Sequence, residues 1–202
     1  MKHIVSILCL ALLLGMTGFP LGPARVAAGP AETAALPKPD MSGGMPLMEA
    51  LAKRRSTRTV SGEPISERDL SNLLWAAWGI NRPDGKRTVP TARNRQDARV
   101  FAVLESGVWL YDAAANALVK AVDIDARSRF GGAPLTLLYA ARADDETGGM
   151  HVGSMYQNVA LYCASVGLGD VVKITGRGGL DSALKLPEGY KILVAHSIGR
   201  PK

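Results

Sequence analysis

Three short strand-like segments that follow one another closely set the fold class of this 202-residue chain. Residues 99–104 (RVFAVL), 107–111 (GVWLY) and 117–122 (ALVKAV) are separated only by turn-sized gaps, which is the pattern of a meander. Helical patterns surround them, so the sequence predicts an α+β domain with a central mixed or antiparallel sheet flanked by helices. Further apolar strands are predicted at residues 135–140, 171–174 and 192–198.

Two of the surrounding helices have clear ends. Ser66 and Asp69 form a capping box, and Gly79 follows the last apolar position of that helix. A long helix is predicted over residues 147–166, because Gly167 stops it. Shorter helices are predicted from Leu47 and near residues 180–184.

The first 28 residues have the three parts of a secretory signal. Residues 4–16 are almost continuously apolar behind Lys2 and His3, and glycines and prolines then lead to the small residues Ala27 and Ala28. We expect cleavage after Ala28, and therefore a periplasmic or secreted protein. The apolar run is shorter than the roughly 20 residues of a membrane-spanning helix, yet an uncleaved anchor over residues 4–21 stays open. Any membrane contact is expected through this segment alone.

The remaining chain is predicted to be a flexible leader over residues 29–45, rich in Pro, Gly and Ala, followed by one domain over residues 46–202. Cys163 is the single cysteine after residue 28, so no intramolecular disulfide is expected. His151 and His196 are the only histidines there, which disfavours a histidine-based metal centre.

Positive charge is concentrated in one stretch of the sequence. Residues 53–99 hold 11 Lys or Arg and five acidic residues, a surplus of 11 − 5 = +6. The stretch lacks interleaved aromatics or a recognised nucleic-acid motif, so no nucleic-acid partner is expected. A compact anion such as a phosphorylated cofactor fits the charge better.

Three short strings could hold such an anion: RRSTR at 54–58, RTVPTARN at 87–94 and ITGR at 174–177. In RRSTR, each guanidinium group can bind a phosphate through two parallel hydrogen bonds, and the serine hydroxyl is a further hydrogen-bond donor at short range. The alternative interpretation is an ordinary solvated basic surface.

Taken in order, RRSTR, PTARNRQ (90–96) and YQNVALYCASVGLG (156–169) resemble the nitroreductase-like flavoprotein family over about residues 46–199. LLWAAWGINR (73–82), RTVPTA (87–92) and GVWLYD (107–112) are similar to the family's azoline oxidase branch. The resemblance implies a nitroreductase-like fold and an obligate homodimer with FMN at the subunit interface. It also implies two-electron hydride transfer in a ping-pong cycle, with the chemistry supplied by the flavin rather than by a catalytic side chain.

The substrate implied is a small organic molecule of the nitroaromatic, quinone, enone or azoline type, with NADH or NADPH as a candidate electron donor. A nicotinamide donor would be scarce outside the cytoplasm, so the donor stays open. The alternative is a non-catalytic module of the same fold that binds flavin or another small molecule, or a partner subunit of another enzyme.

The resemblance also implies which residues hold the phosphate end of FMN. Arg54, Ser56 and Arg58 match positions that contact the phosphate and ribityl chain. A basic pair near the C-terminus reaches the phosphate in the family, and Arg200 and Lys202 are the loosely matching candidates here.

The ring end of the flavin is implied by three other matches. Arg55 matches a position near the pyrimidine edge, and Thr175 and Gly176 match the turn whose backbone approaches N5. The matches in the loop beside the ring are Pro90, Thr91, Ala92 and, as a hydrogen-bonding amide, Asn94.

The loop departs from the family pattern at Arg93 and Arg95, which add two cations. They either favour an anionic substrate or are ordinary exposed arginines. Cys163 lies among apolar helix residues and is predicted to be a buried thiol, and His151 is a candidate donor to the substrate or a structural residue.

Overall fold

The computed structural model describes residues 31–202, which form one seven-stranded sheet with helices on its faces. The strands are β1 (Thr33–Ala35), β2 (Arg99–Leu104), β3 (Gly107–Asp112), β4 (Ala117–Val122), β5 (Leu135–Arg142), β6 (Gly169–Lys173) and β7 (Tyr190–Gly199). The helices are α1 (Leu47–Lys53), α2 (Glu67–Trp78), α3 (Glu146–Val166) and α4 (Leu180–Ala183), with 3₁₀ turns at Ala92–Asn94 and Arg127–Phe130. The predicted signal peptide lies outside the described residues.

The strand order is β1-β4-β3-β2-β5-β7-β6, and every neighbouring pair is antiparallel. The predicted meander is β2-β3-β4, which is confirmed, and the α+β class is confirmed with it. Strand β6 begins two residues earlier than predicted, at Gly169, because its first residues already pair with the end of β7. Because β6 is last in the strand order, it forms one edge of the sheet.

The two faces of the sheet carry separate hydrophobic cores. Helices α2 and α3 cover one face, where Leu73, Tyr139 and Met155 are completely buried. The other face packs Phe101, Leu138 and the 3₁₀-turn residue Phe130 against α4. Strand β5 contributes alternate side chains to both cores, and its burial over seven consecutive residues explains its continuous apolar sequence.

The predicted helix ends are confirmed. Ser66 Oγ accepts from the backbone N–H of Asp69 at 3.0 Å, which is the N-cap half of a capping box, and the Ser66 hydroxyl donates to the Asp69 carboxylate. The α3 helix ends at Gly167, which has the left-handed φ of 75° that favours glycine. Its first turn is capped by Asp145, whose carboxylate accepts from the N–H groups of Thr147 and Gly148.

The prediction of a flexible leader is wrong for the part of it that the structure describes. Residues 33–35 pair with β4, the N–H of Asp40 donates to the Asn72 side chain at 2.8 Å, and the N–H of Met45 donates to the Ser165 carbonyl. These contacts use backbone atoms and leave the small side chains of β1 exposed. A prediction from side-chain patterns therefore misses them.

A series of hydrogen bonds joins buried polar side chains of β5, β7 and β6. The Tyr139 hydroxyl lies 3.1 Å from His196 Nδ1, and His196 Nε2 lies 2.7 Å from Asp170 Oδ2. All three residues are at most 4% exposed. A neutral imidazole that accepts from Tyr139 and donates to Asp170 satisfies both contacts. Among the described residues, no helix is long and apolar enough to cross a membrane.

Two adjacent glycines in the first turn of α3 allow a test of how closely this helix packs against the end of β5. A Cβ at Gly148 would lie 1.9 Å from the Arg142 carbonyl oxygen, whereas a Cβ at Gly149 would meet nothing within 4 Å. Gly148→Ala should lower the free energy of unfolding by about 1–3 kcal/mol through overpacking. Gly149→Ala should raise it by about 0.5–1 kcal/mol, because alanine loses less backbone entropy in a helix. Urea unfolding measures both, and equal stabilities would contradict the close contact of α3 with β5.

Candidate functional site

The RRSTR segment is held in an extended conformation against β6. Ser56 forms a parallel bridge with Asp170, and the N–H of Thr57 donates to the Asp170 carbonyl at 2.7 Å. Gly169 permits this approach, since a Cβ there would lie 2.8 Å from the Thr57 methyl carbon. Further along, the N–H of Ser61 donates to the Arg200 carbonyl at 2.8 Å. Residues 56–61 are therefore fixed between β6 and residues 200–202.

One cleft on this segment has a volume of about 610 Å³, and we call it the arginine cleft. Arg54 and Arg55 line it, with Arg54 half-buried and Arg55 exposed. Asp170 is the one acidic residue in its lining, but its carboxylate is buried against His196. The remaining lining residues are Ala52, Lys53, Thr57, Ala164, Gly167, Leu168 and Pro201.

A second cleft of about 200 Å³ adjoins it across Thr57, and we call it the lysine cleft. Arg58, Lys173 and Lys202 line it, and its lining contains no acidic residue. Of the two basic residues predicted near the C-terminus, only Lys202 lies here, because the Arg200 guanidinium pairs with Glu63 at 3.4 Å. The structure thus brings Arg58 and Lys202 together.

Lys173 was not predicted as a site residue. It is half-buried at the end of β6, where its ammonium donates to the Phe130 carbonyl at 2.9 Å, and burial lowers its pKa. In sequence it is only a basic residue after an apolar strand, so no sequence signal marks it. None of the ion pairs formed by residues 31–202 includes Arg54, Arg58, Lys173 or Lys202.

The predicted turn at Thr175 and Gly176 lies at the far end of β6. Arg177 holds this turn against β7, since its Nε donates to the Ile174 carbonyl and its Nη1 to the Ile192 carbonyl, both at 2.6 Å. Gly176 lines a third cleft of about 250 Å³, and Thr175 is exposed beside it. Five residues along the chain separate this turn from Asp170, where Ser56 is bridged, which corresponds to about 16 Å of extended strand.

The predicted loop at residues 90–96 lies elsewhere, beside the N-terminal end of α3. Pro90, Thr91 and Asn94 line a cleft of about 170 Å³. The N–H of Ala92 donates to His151 Nε2 at 2.8 Å, which fastens the loop to the helix. Asn94 is exposed, with a left-handed φ of 53°.

Arg95 is a centre of ion pairs within the chain and not a free cation. Its Nε lies 3.2 Å from Asp97 Oδ2, its Nη1 lies 3.0 Å from Asp145 Oδ2, and it also donates to Thr147. Arg95 is exposed, as one of the two interpretations from the sequence expects, and its charge is paired with nearby acids. Arg93 is exposed on the same loop.

Helix α3 separates the two groups of predicted residues. The loop contacts the helix at Asp145, Thr147 and His151, whereas the arginine cleft lies against Ala164 and Gly167. The 16 residues from His151 to Gly167 correspond to about 24 Å along the helix axis. Within one chain, RRSTR and the loop at residues 90–96 therefore lie near opposite ends of α3.

The prediction that Cys163 is a buried thiol is confirmed. It is fully buried in α3, and burial raises the pKa of its thiol well above the ordinary value. Such a thiol is a poor nucleophile. Trp78 is buried beneath Arg87, whose guanidinium lies 4.8 Å from the ring centroid, so it packs rather than offering a free ring face.

Comparison with known proteins gives a consistent family. Residues 51–200 match the model of the nitroreductase family. A chain from Ralstonia eutropha JMP134, provisionally named a nitroreductase, is 34% identical and superposes with a TM-score of 0.78 over 84% of this chain and 90% of its own. A Methanocaldococcus jannaschii protein, also provisionally named a nitroreductase, is 29% identical over 151 residues, 62% of this chain and 76% of its own.

A more distant structure shares the fold. A nitroreductase with bound FMN from Bacteroides fragilis NCTC 9343 is 16% identical, with a TM-score of 0.55 over 77% of this chain and 88% of its own. At that identity the likeness supports the nitroreductase-like fold alone.

The capping carboxylate of α3 gives a test in acid. Hydrogen bonds from the Thr147 hydroxyl and the Arg95 guanidinium hold the pKa of Asp145 far below its ordinary value. A lowered folded pKa adds stability that is complete above the unfolded pKa of about 4 and is lost as pH falls through the folded value. The stability gap between the wild type and Asp145→Asn should thus be constant above about pH 5 and shrink below about pH 4. Urea midpoints from pH 3 to 7 measure it, and a gap independent of pH would contradict the arrangement.

Proposed function

This chain belongs to the nitroreductase family, and we propose that it is an FMN-dependent oxidoreductase with a small organic substrate. The observation that carries the proposal is the basic surface along β6, where RRSTR, Lys173 and Lys202 are brought together from three parts of the sequence. Family members are typically FMN-dependent oxidoreductases, and the Bacteroides fragilis neighbour has FMN bound.

The residues present fit a phosphate ester. The lysine cleft holds three cations and no acid, and Lys173 is half-buried with its ammonium on a carbonyl rather than a carboxylate. Partly buried positive charge without a counter-ion is costly unless an anion binds beside it. A phosphate monoester carries roughly −1.5 to −2 charges near pH 7, which complements this cluster.

We assign the phosphate to the point where the two clefts adjoin, where Arg54 and Ser56 would hold it together with Arg58, Lys173 and Lys202. Arg55 would lie near the pyrimidine edge, and the backbone of Thr175 and Gly176 near N5. When bound, FMN supplies the hydride-transfer chemistry, with donor and acceptor reacting in turn. The protein's part is to bind the phosphate, orient the ring against the edge of β6 and exclude water from it.

The loop residues Pro90, Thr91, Ala92 and Asn94 complete such a site only in a dimer. They lie about 24 Å along α3 from RRSTR in the same chain. We therefore propose a homodimer in which the loop of one subunit reaches the flavin held by the other. The exposed apolar side chains of α1, Leu47 and Met48, are consistent with a covered face.

The acceptor class is proposed from the sequence resemblance and includes nitroaromatics, quinones, enones and azolines. Since Arg95 is paired with Asp97 and Asp145, it gives no support to an acidic acceptor. NADH or NADPH is the proposed electron donor, and we propose an exported, periplasmic or secreted location from the N-terminal sequence.

The competing proposal is a binding module of the same fold without catalysis. Purified protein distinguishes the two. A yellow protein whose absorbance is bleached by NADH or NADPH and returns when an acceptor is added is an oxidoreductase, whereas a flavin that dithionite reduces but neither nucleotide does supports the binding module.

The phosphate assignment predicts the effect of removing one guanidinium. Arg54→Ala should weaken FMN binding by roughly 1.5–3 kcal/mol, about 10- to 100-fold, and Ser56→Ala should weaken it less. Riboflavin has no phosphate, so its affinity should not change. Arg68→Ala serves as the matched control. Arg68 lies on α2 and pairs with Asp40 on the exposed surface, so this variant removes the same charge from a residue that lines neither cleft. Fluorescence titration with both flavins measures this, and equal losses for both would contradict the assignment.

The shared site predicts complementation between two defective chains. Arg54→Ala and Asn94→Ala each damage a different half, so a mixed dimer holds one intact site and one site with both changes. Random mixing should then restore about a quarter of the wild-type sites. Flavin retention after gel filtration measures the recovery. Recovery of none, or an FMN-loaded monomer in sedimentation, would contradict the shared site.

A further inference from the structure

His151 in the second turn of α3 is 3% exposed, yet it forms a single hydrogen bond. Its Nε2 accepts from the N–H of Ala92 at 2.8 Å, so the ring is neutral and its proton lies on Nδ1. Nδ1 faces Asp97 Oδ1 at 3.5 Å, and neither atom has a hydrogen-bond partner among residues 31–202. The imidazole therefore lies between two possible partners.

The loop that His151 contacts needs such support. Arg93, Asn94 and Gln96 all have left-handed φ angles, between 47° and 53°, which residues with a Cβ adopt unfavourably. The contact of Ala92 with His151 precedes this run directly and joins its backbone to α3. The pairs of Arg95 with Asp97 and Asp145 fasten the loop at its other end.

We propose that His151 is a positioning residue that holds the loop at residues 91–96 onto α3 while its imidazole is neutral and releases it on protonation. A protonated imidazole has two N–H donors and no acceptor, so the N–H of Ala92 would lose its partner. The Nδ1–H would gain an ionic partner in Asp97 instead. The ring would thus lose its hydrogen bond with the Ala92 N–H and gain an ion pair with the Asp97 carboxylate.

The charges around this pair come from several elements. Arg95 belongs to the loop, Asp97 follows it before β2, and Asp145 caps α3. Tyr190 of β7 lies near Asp97, with Arg99 of β2 and Arg142 of β5 beside it. Imidazoles generally change charge between about pH 5 and 8, so the loop should be released on the acidic side of that range.

The first test uses flavin-free protein and so does not depend on the proposed function. The variant His151→Gln keeps an acceptor near the position of Nε2 but cannot titrate, and His151→Ala removes the acceptor. Exchange of the Ala92 amide, corrected for intrinsic rates, is measured by NMR from pH 8 to 5. Protection should fall about tenfold or more in the wild type, remain constant in His151→Gln and be low throughout in His151→Ala. Constant protection in the wild type, or wild-type protection in His151→Ala, would overturn the proposal.

The second test asks whether release of the loop affects the flavin, and this step rests on the proposed function. Riboflavin is the probe, because the phosphate of FMN itself titrates near pH 6. Its affinity should fall about 3- to 10-fold from pH 8 to 5 in the wild type and stay level in His151→Gln. His196 is unchanged in both proteins, so its contribution cancels. If the Ala92 amide responds and riboflavin affinity does not, the role of His151 stands and the placement of the loop against the flavin fails.

Discussion

The rigid helix α3 fixes the geometry on which the site depends. Its N-terminal end is held by the Asp145 cap and by the close contact of Gly148 with the end of β5. Its C-terminal end turns at Gly167 directly into β6. Because a helix of this length does not shorten or bend easily, the loop at one end and RRSTR at the other keep their distance. In the proposed site, one subunit would therefore contribute to two different flavins, which is the physical basis for the proposed dimer.

Asp170 connects this frame to the basic segment. Its carboxylate lies in the core against His196, while its backbone carbonyl accepts from Thr57. A buried carboxylate is costly unless it is hydrogen-bonded, so the residue is held in one place by the series of hydrogen bonds through His196 and Tyr139. Thr57 is thereby fixed relative to the core, and Arg54 and Arg58 on either side of it are directed into adjoining clefts.

The sequence predicted what local patterns encode. The α2 helix carries its N-cap and apolar face within 14 residues, and β2-β3-β4 follow from short strand-like segments with turn-sized gaps, so these elements were predicted correctly. Residues 33–35 were missed because their pairing with β4 uses only the backbone. The contacts of His151 and Arg95 join parts of the chain 50 or more residues apart, and no local pattern announces them. The order of the short motifs along the chain was enough to indicate the candidate site residues. Only the structure shows that these residues are divided between the two ends of α3.

The distribution of charge shows why a count along the sequence is not enough. The surplus between residues 53 and 99 includes Arg95, Arg68 and Lys86, whose charges are paired with acids of the same chain. The lysine cleft instead takes one cation from that stretch, one from β6 and one from residue 202, none of them paired within residues 31–202. Folding thus pairs part of the apparent basic stretch with acids and assembles a smaller unpaired cluster from distant residues. Lys173 is half-buried while Arg58 and Lys202 are exposed. Since cations without a paired acid attract an anion more strongly than paired ones, it is this assembled cluster, and not the basic composition, that argues for a phosphate ligand.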